Sequence, residues 1–507
     1  MRVPNDHWRR LIAAISLAAA GGAIAQVVVP QYTPPTPTPP PSATLVLREL
    51  RFSESVLLDK ADLAAIAKRY VGRELEIRDL QQLVAEVNAL YQKSGMFTAR
   101  ALLPPQKIEN GIVNVDLVEG RLGSVELSGN QYTKNSYILS RVPLEAGAVI
   151  DGQRLERDLK WFNRTNDVAL EATMKPGAAF GQSDLLLKAI EPPKYSLRLF
   201  ADNEGIPTTG RAEAGLSFQD NALVGIGDSL SVYYTHSSGA DNGSASYKVP
   251  VTTKGGALAV AYAQNTTAVN AGPLAGLNVT AKSSSVFSTY TQPWLADDKW
   301  LVSTPFTLSR TLSETMLSGV KLSDFDVHKA SGGLSVDVRD PGYRATLLQT
   351  VAVLHSRNDS IGTETNRTVF NGNAGAVIRM SDEYYGALRG GWQYSPQTDL
   401  PPSELFPIGG RATVRGYTRG FIAGTDGYYA GVEAHKLVTG NVNAFAFYDE
   451  GKVKTSNFPQ QRIRGTGAGV VITHKQFTLD FTAGYALDRI LPDQRRLEIA
   501  ARVEISF

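Results

Sequence analysis

Residue types that carry out chemistry are sparse in this chain, and they do not gather. The six histidines, His7, His236, His328, His355, His435 and His474, stand far apart, and none belongs to the H-E-x-x-H pair that would hold zinc. No Gly-x-Ser-x-Gly elbow and no phosphate-cradling P-loop occurs. Cysteine is absent, which rules out disulfides and thiolate metal sites. No catalytic residue, no metal site and no cofactor is therefore expected. One pairing of opposite charges stands out instead. Val414-Arg415-Gly416-Tyr417 closes a glycine-rich stretch that begins at Phe406, and Phe447-x-Asp449-x-Gly451 follows further along. A guanidinium is planar and permanently charged, so Arg415 can engage the Asp449 carboxylate through two parallel hydrogen bonds, and these strengthen where water is partly excluded. Chemistry of that kind makes a lock.

Two elements must position the pair. The stretch from Phe406 to Tyr417 contains Gly409, Gly410 and Gly416, too much glycine for a helix interior, and it is too long for a tight hairpin turn. A long ordered loop over 406–425, folded inward, is expected. From Val442 to Asp449 the pattern alternates, with Val442, Ala444, Ala446 and Tyr448 on one face and Asn443, Phe445, Phe447 and Asp449 on the other. That is a strand with one acidic end, stopping at Gly451. If the loop folds back over the strand, Arg415 meets Asp449, Gly416 provides the sharp turn, and the Tyr417 ring can pack against Phe445 or Phe447.

A chain of 507 residues exceeds one ordinary globular core and implies several domains unless a large all-β unit takes much of it. The net charge of +2 points to neither nucleic acid nor a strongly charged surface partner. At the N-terminus, Arg2, Arg9 and Arg10 precede an apolar run from Leu11 to Gly22 and an Ala23-Ile24-Ala25 cleavage pattern, which reads as a secretory signal peptide over 1–25. Beyond it no run of about 18 apolar residues occurs, so a membrane span is available only to a β-barrel. Residues 26–44 are proline-rich and read as an extended spacer.

From Leu45 the order is strand, helix, helix, strand, strand. Leu45 to Phe52 reads as a strand, and Asp59 caps a helix whose Leu63, Ile66, Ala67 and Tyr70 share a face. The next helix carries Leu80, Leu83, Val84, Val87, Leu90 and Tyr91 and ends at Gly95. Strands follow at Phe97 to Leu103 and Ile112 to Val118. The same order then recurs: a strand over Leu122 to Ser128, a short helix capped by Thr133, a helix opened by Asp151 with Leu155, Leu159 and Phe162, and strands at Val168 to Met174 and Asp184 to Ile190. The expectation is two α+β repeats, 45–120 and 121–192.

After Pro192-Pro193 helical periodicity gives way to alternating segments, as at Leu230/Val232/Tyr234 and Leu258/Val260/Tyr262, separated by polar turns. Roughly 310 residues at about 20 per strand and connection hold about 16 strands of a transmembrane β-barrel over 193–507. Trp294 and Trp300 flank a short turn, suiting an aromatic girdle at the lipid boundary. A soluble β-sandwich accounts poorly for the last strand. There Leu497, Ile499, Ala501, Val503, Ile505 and Phe507 share one face, opposite Glu498, Arg502, Glu504 and Ser506, as lipid outside and water inside would require.

Signal peptide, proline linker, two α+β repeats and a barrel ending in phenylalanine together resemble the two-partner secretion transporters, the TpsB family of the outer-membrane insertase and translocase superfamily. The repeats resemble its two POTRA domains. Val414-Arg415-Gly416-Tyr417 is similar to the tip of the family's inward-folded loop, Phe447-x-Asp449-x-Gly451 to its barrel-wall motif, and Phe507 to its C-terminal assembly signal. The resemblance implies a monomeric pore that exports one unfolded, β-helix-forming exoprotein from periplasm to surface without nucleotide hydrolysis. It also implies docking of that exoprotein by the POTRA domains, and periplasmic chaperones and barrel assembly machinery during biogenesis. Many family members carry a pore-plugging helix ahead of the first repeat; the proline-rich 26–43 stretch does not read as one. The alternatives are a barrel-assembly insertase, which usually carries more POTRA domains, and a passive porin, which needs no α+β repeats.

Overall fold

A computed structural model describes residues 44–455, 458–492 and 494–507. The expected signal peptide and nearly all of the proline linker lie outside the described residues. The chain divides into two units, one ending at Glu191 and the other running from Pro192 to Phe507.

Two copies of one small topology make up the first unit. In the first copy, Glu49–Phe52 runs parallel to Ile112–Glu119, which pairs antiparallel with Ala99–Leu102. In the second, Arg121–Ser128 runs parallel to Gln182–Ile190, which pairs antiparallel with Ala169–Pro176. Helices Lys60–Tyr70 and Ile77–Lys93 cover the first sheet and bury Leu63, Ile66, Leu80, Leu83, Val87 and Tyr91. Asp59 caps the first of these by accepting from the Ala61 N–H at 3.0 Å. Helix Gly152–Thr165 buries Leu155, Leu159 and Phe162, and Asp151 caps it by accepting from the Arg154 N–H at 2.9 Å.

Two local expectations are corrected here. Leu45 to Phe52 is two short strands, because Leu45–Val46 turns aside to pair with Glu74–Leu75. Thr133 caps nothing: Lys134 holds the position before helix Asn135–Leu139 without a side-chain cap bond. The Thr133 N–H is drawn to Glu191 instead, which also accepts from the N–H groups of Gln131 and Tyr132. The first repeat does the same with Glu119, which accepts from the Ser55 hydroxyl, the N–H groups of Val56 and Leu57, and the Tyr91 hydroxyl. In each copy an acidic residue at the end of the last strand, Glu119 as its final residue and Glu191 just beyond it, clamps the loop between first strand and first helix. That loop has orphan N–H donors and the carboxylate satisfies them, which is the physical reason the acid recurs.

The second unit is a closed antiparallel barrel of sixteen strands, from Tyr195–Asp202 round to Leu497–Ser506. No helix among the described residues is long and apolar enough to cross a membrane; this unit crosses with strands. Strand length varies from 8 residues at Tyr195–Asp202 to 21 at Val320–Asp340. The last strand carries Leu497, Ile499 and Val503 on the outside, each about half-exposed. Glu498 and Arg502 turn inward to Arg211 and Asp202. Trp294 and Trp300 stand exposed on either side of the turn in which the Asp297 carboxylate accepts from two backbone N–H groups. Phe507 closes the ring by exchanging backbone hydrogen bonds with Leu197 on the first strand.

Candidate functional site

Between strands Tyr384–Tyr394 and Asp426–Thr439 the chain makes its loop of 395–425, and this loop lies inside the barrel against the inward faces of the strands. A small antiparallel pair, Phe406–Ile408 with Ile422–Gly424, stiffens its base. Ile408, Val414 and Tyr417 are buried with Val453, Ile463 and Ala486 of the wall, so the tip is packed as well as charged.

The structure brings Arg415 and Asp449 together. Arg415 Nε and Nη2 donate to the two Asp449 oxygens at 2.7 and 2.9 Å, and its backbone N–H donates to the same carboxylate at 3.0 Å. Asp449 is fully buried and Arg415 is 7% exposed. The pair is half of a larger cluster. Arg389 donates to both Asp449 oxygens at 3.0 Å, and Arg415 also meets Glu433 at 2.8 Å. Two guanidinium groups thus face two carboxylates, a balanced quartet in which no charge is left buried alone. Arg389 further donates to the Arg411 backbone carbonyl at 2.8 Å, so the wall holds the loop's main chain too.

Strand register explains how these side chains reach one another. Arg389, Gly431, Asp449 and Gly465 form one row across four strands. A Cβ at Gly431 would lie 2.4 Å from Asp449 Oδ1, so the missing side chain is what lets Arg389 reach across to the carboxylate. On the other flank, a Cβ at Gly465 would lie 1.8 Å from the Arg415 carbonyl oxygen, so the wall is bare where the loop backbone presses on it. Gly451 plays the same part for Ile408 and Val414, whose methyl groups would lie 2.9 Å from its Cβ. Gly416 turns at φ +91 with Tyr485 and Gly484 directly against it.

Tyr417 does not pack as expected. Its ring tilts against Phe421 at 5.2 Å, and its hydroxyl donates toward the carbonyls of Arg464 and Asp488 and accepts from the Asp488 N–H at 3.1 Å. The ring of Phe447 is covered by the Arg415 guanidinium, 3.5 Å from its centroid, a cation–π contact that uses the inward aromatic of the strand motif.

Two more loop arginines reach the wall. Arg411 donates to Glu204 at 2.9 Å and to Asp480, and Arg419 donates to Glu213 at 2.8 Å. With Arg415 they give a spacing of four residues, each turned to a different part of the barrel. Sequence reading missed Arg389, Glu433, Arg411 and Arg419, together with Glu204, Asp480 and Glu213, which receive the last two. The signal available was a charged residue at an inward position of an otherwise apolar or small-residue strand, as with Glu433 in Gly431-Val432-Glu433 and Asp480 in Leu479-Asp480-Phe481. His435, one of the six scattered histidines, lies on the barrel wall, buried, stacked on Tyr385 at 4.3 Å and bonded to Glu433 at 2.8 Å. Among the described residues no three His, Cys, Asp or Glu side chains are grouped to hold a metal.

A sixteen-strand outer-membrane barrel behind α+β repeats, with its own loop bound in the lumen, defines the transporter barrels of the insertase and translocase superfamily. The chain belongs to the family described as haemolysin secretion/activation protein ShlB/FhaC/HecB, whose model matches residues 181–472, while residues 45–120 match the ShlB-type POTRA domain. It is 31% identical over 182 residues to the heme/hemopexin transporter protein HuxB of Haemophilus influenzae (strain 86-028NP), a match covering 36% of this chain and 32% of that protein. It is 24% identical over 498 residues to the outer membrane transporter CdiB of Dickeya dadantii, covering 91% and 86%. The solved structure of CdiB from Escherichia coli superposes with a TM-score of 0.72 at 20% identity, covering 98% of this chain and 96% of that one.

Proposed function

We propose that this chain is the outer-membrane translocator of a two-partner secretion system, exporting an unfolded, β-helix-forming exoprotein from periplasm to cell surface, and that it is not an enzyme. One observation carries the reading. The barrel lumen is occupied by a loop of the same chain that is held by a balanced cluster of charges centred on the buried Arg415–Asp449 pair, an arrangement a diffusion pore has no use for and a regulated conduit does. In this reading Arg415, with Val414, Gly416 and Tyr417 packed around it, locks to the Phe447-x-Asp449-x-Gly451 wall and is released or shifted when cargo passes. Residues 121–192 are a second POTRA domain, as their strand order supports. The POTRA domains dock the exoprotein by adding one of its segments to a free sheet edge, where main-chain hydrogen bonds give affinity. Phe507, at the end of the closing strand, serves as the signal read by periplasmic chaperones and the barrel assembly machinery, and the finished barrel works as a monomer in lipid. The names of the relatives, a heme/hemopexin transporter and CdiB, suit a secreted partner protein.

The docking role has a direct test. Deleting Leu45 to Glu191 is expected to leave a barrel in the membrane, judged by heat-modifiable gel mobility, and to abolish appearance of the exported exoprotein in the medium. Undiminished secretion by that truncation would sink the role assigned to the repeats.

A further inference from the structure

Beside the lock, on the inward face of the wall, lies a second polar cluster. Tyr385, His435 and Phe445 form one row across strands Tyr384–Tyr394, Asp426–Thr439 and Val442–Thr455. The imidazole of His435 is sandwiched between the other two rings, its centroid 4.3 Å from that of Tyr385 and 5.1 Å from that of Phe445. Nε2 meets Glu433 Oε2 at 2.8 Å, and Nδ1 meets the side-chain amide nitrogen of Asn443 at 3.1 Å. An amide nitrogen only donates, so Nδ1 accepts, and the proton of a neutral ring sits on Nε2 and is donated to Glu433. The two oxygens of Glu433 are thereby divided, Oε2 to His435 and Oε1 to Arg415 at 2.8 Å. One atom of this buried cluster is unsatisfied: Asn443 Oδ1 has no hydrogen bond, although Nδ2 of the same amide also donates to the Tyr385 hydroxyl at 3.1 Å. Turning the amide over exchanges the two atoms. Oδ1 then accepts from the Tyr385 hydroxyl and from Nδ1, provided that Nδ1 carries a proton as well. The pocket thus fits His435 in two forms, neutral with the amide one way and doubly protonated with it turned, and the flanking ring faces suit a cation.

We propose that His435 is a positioning residue of the lock: it sets Glu433 against Arg415, and by taking a second proton it loosens the loop. The inference rests on the lock that the translocator reading assigns to Arg415. The charged and titratable groups turned toward His435 are Glu433 on its own strand, Tyr385 and Arg389 on the strand before, Asp449 on the strand after, and Arg415 from the loop; Lys436 turns outward over Tyr384. With a neutral ring, two guanidinium groups face two carboxylates. With an imidazolium, three cations face the same two carboxylates, and the bond from Nε2 to Glu433 becomes charge-assisted at the expense of Arg415. Arg389 and His435 are fixed on strands, whereas Arg415 is carried by the loop, so Arg415 is the cation that withdraws. Proton uptake and loop withdrawal therefore favour each other. Histidine is the side chain that ordinarily changes charge between about pH 5 and 8, so the loop holds at neutral pH and loosens in mild acid.

The test uses the purified full chain in lipid nanodiscs. Amide exchange across residues 409–421, corrected for the intrinsic pH dependence of exchange, is followed from about pH 7.5 to about pH 5.5. Protection in the unchanged chain is expected to fall several-fold over that range. His435→Gln, whose amide can donate to Glu433 but takes up no proton, is expected to give a flat profile. Asn443→Leu keeps the volume and removes the carbonyl that the doubly protonated ring needs, so the fall is expected to move to lower pH. Heat-modifiable gel mobility checks that each variant forms a barrel. No fall in the unchanged chain, or a fall as steep and at the same pH in both variants, would overturn the role of His435 while leaving the lock in place. Arg415→Ala tests the lock separately: it is expected to lower protection at every pH, and undiminished protection in that variant would overturn the lock and the inference with it.

Discussion

At the residue scale, the lock is a matter of charge balance. Arg415→Ala leaves Arg389 facing two carboxylates, and Asp449→Ala leaves two guanidinium groups facing Glu433 alone, so each single change strands a buried charge. Breaking a buried pair on one side costs about 3–5 kcal/mol, and water in the lumen lowers that figure. The double substitution leaves Arg389 and Glu433, one charge of each sign. It is therefore expected to be little worse than either single change, with a coupling of about 0.5–3 kcal/mol. Amide hydrogen exchange across residues 409–421, alongside a secretion assay, checks this; strictly additive losses would refute the lock. Arg415 and Asp449 were legible because each sits in a distinctive run of residues. Arg389 and Glu433 were not, because a single charge in a strand shows its importance only once register sets it beside Asp449, with Gly431 leaving the gap between them. Tyr417 was misassigned for a related reason: which ring lies nearest depends on the path of the loop, and that path carries Arg415 over Phe447.

Element by element, alternation proved the more durable signal. The apolar stripe of the last strand fell on the outer face as read, since a slip of one residue would turn every charge toward lipid. Val503→Arg is accordingly expected to destabilise the barrel by about 2–4 kcal/mol, the cost of arginine on a lipid-facing strand, while Glu504→Arg costs much less. Equal loss from the two in heat-modifiable mobility would count against the assigned faces. Loops were read less well, as Thr133 illustrates: a threonine before a helix looks like a cap, and only the fold reveals that its N–H answers to Glu191. Burial opposes charge on Glu191, but the Thr133 hydroxyl and the backbone N–H groups of Gln131, Thr133 and Tyr132 outweigh it and hold the carboxyl below its ordinary 4.5. A depressed folded value means stability that is present above the unfolded value and lost as pH falls through the folded one. Glu191→Gln is thus expected to lower exchange protection of the Asn130 to Leu139 amides about tenfold at neutral pH, about 1.4 kcal/mol and near the low end for hydrogen bonds to a charged group. The difference should shrink as pH drops below 4.5, compared at each pH against the unchanged chain; a gap that persists at low pH would deny Glu191 its clamp.

For the whole molecule, the order of repeats and barrel was readable because each has its own period: helical spacing in the repeats and alternation in the barrel. What the sequence withheld was the charge quartet, since inward positions of different strands acquire meaning only when register sets them side by side. The claim that organises everything else is that this barrel alone conducts an unfolded polypeptide. Purified full chain in liposomes, mixed with its urea-unfolded partner exoprotein and no nucleotide, tests it most directly through the fraction of exoprotein that becomes protected from added protease. The account predicts protection only in liposomes that contain the chain, reduced by Arg415→Ala; protection that is absent with the intact chain, or equal in liposomes without it, would contradict it.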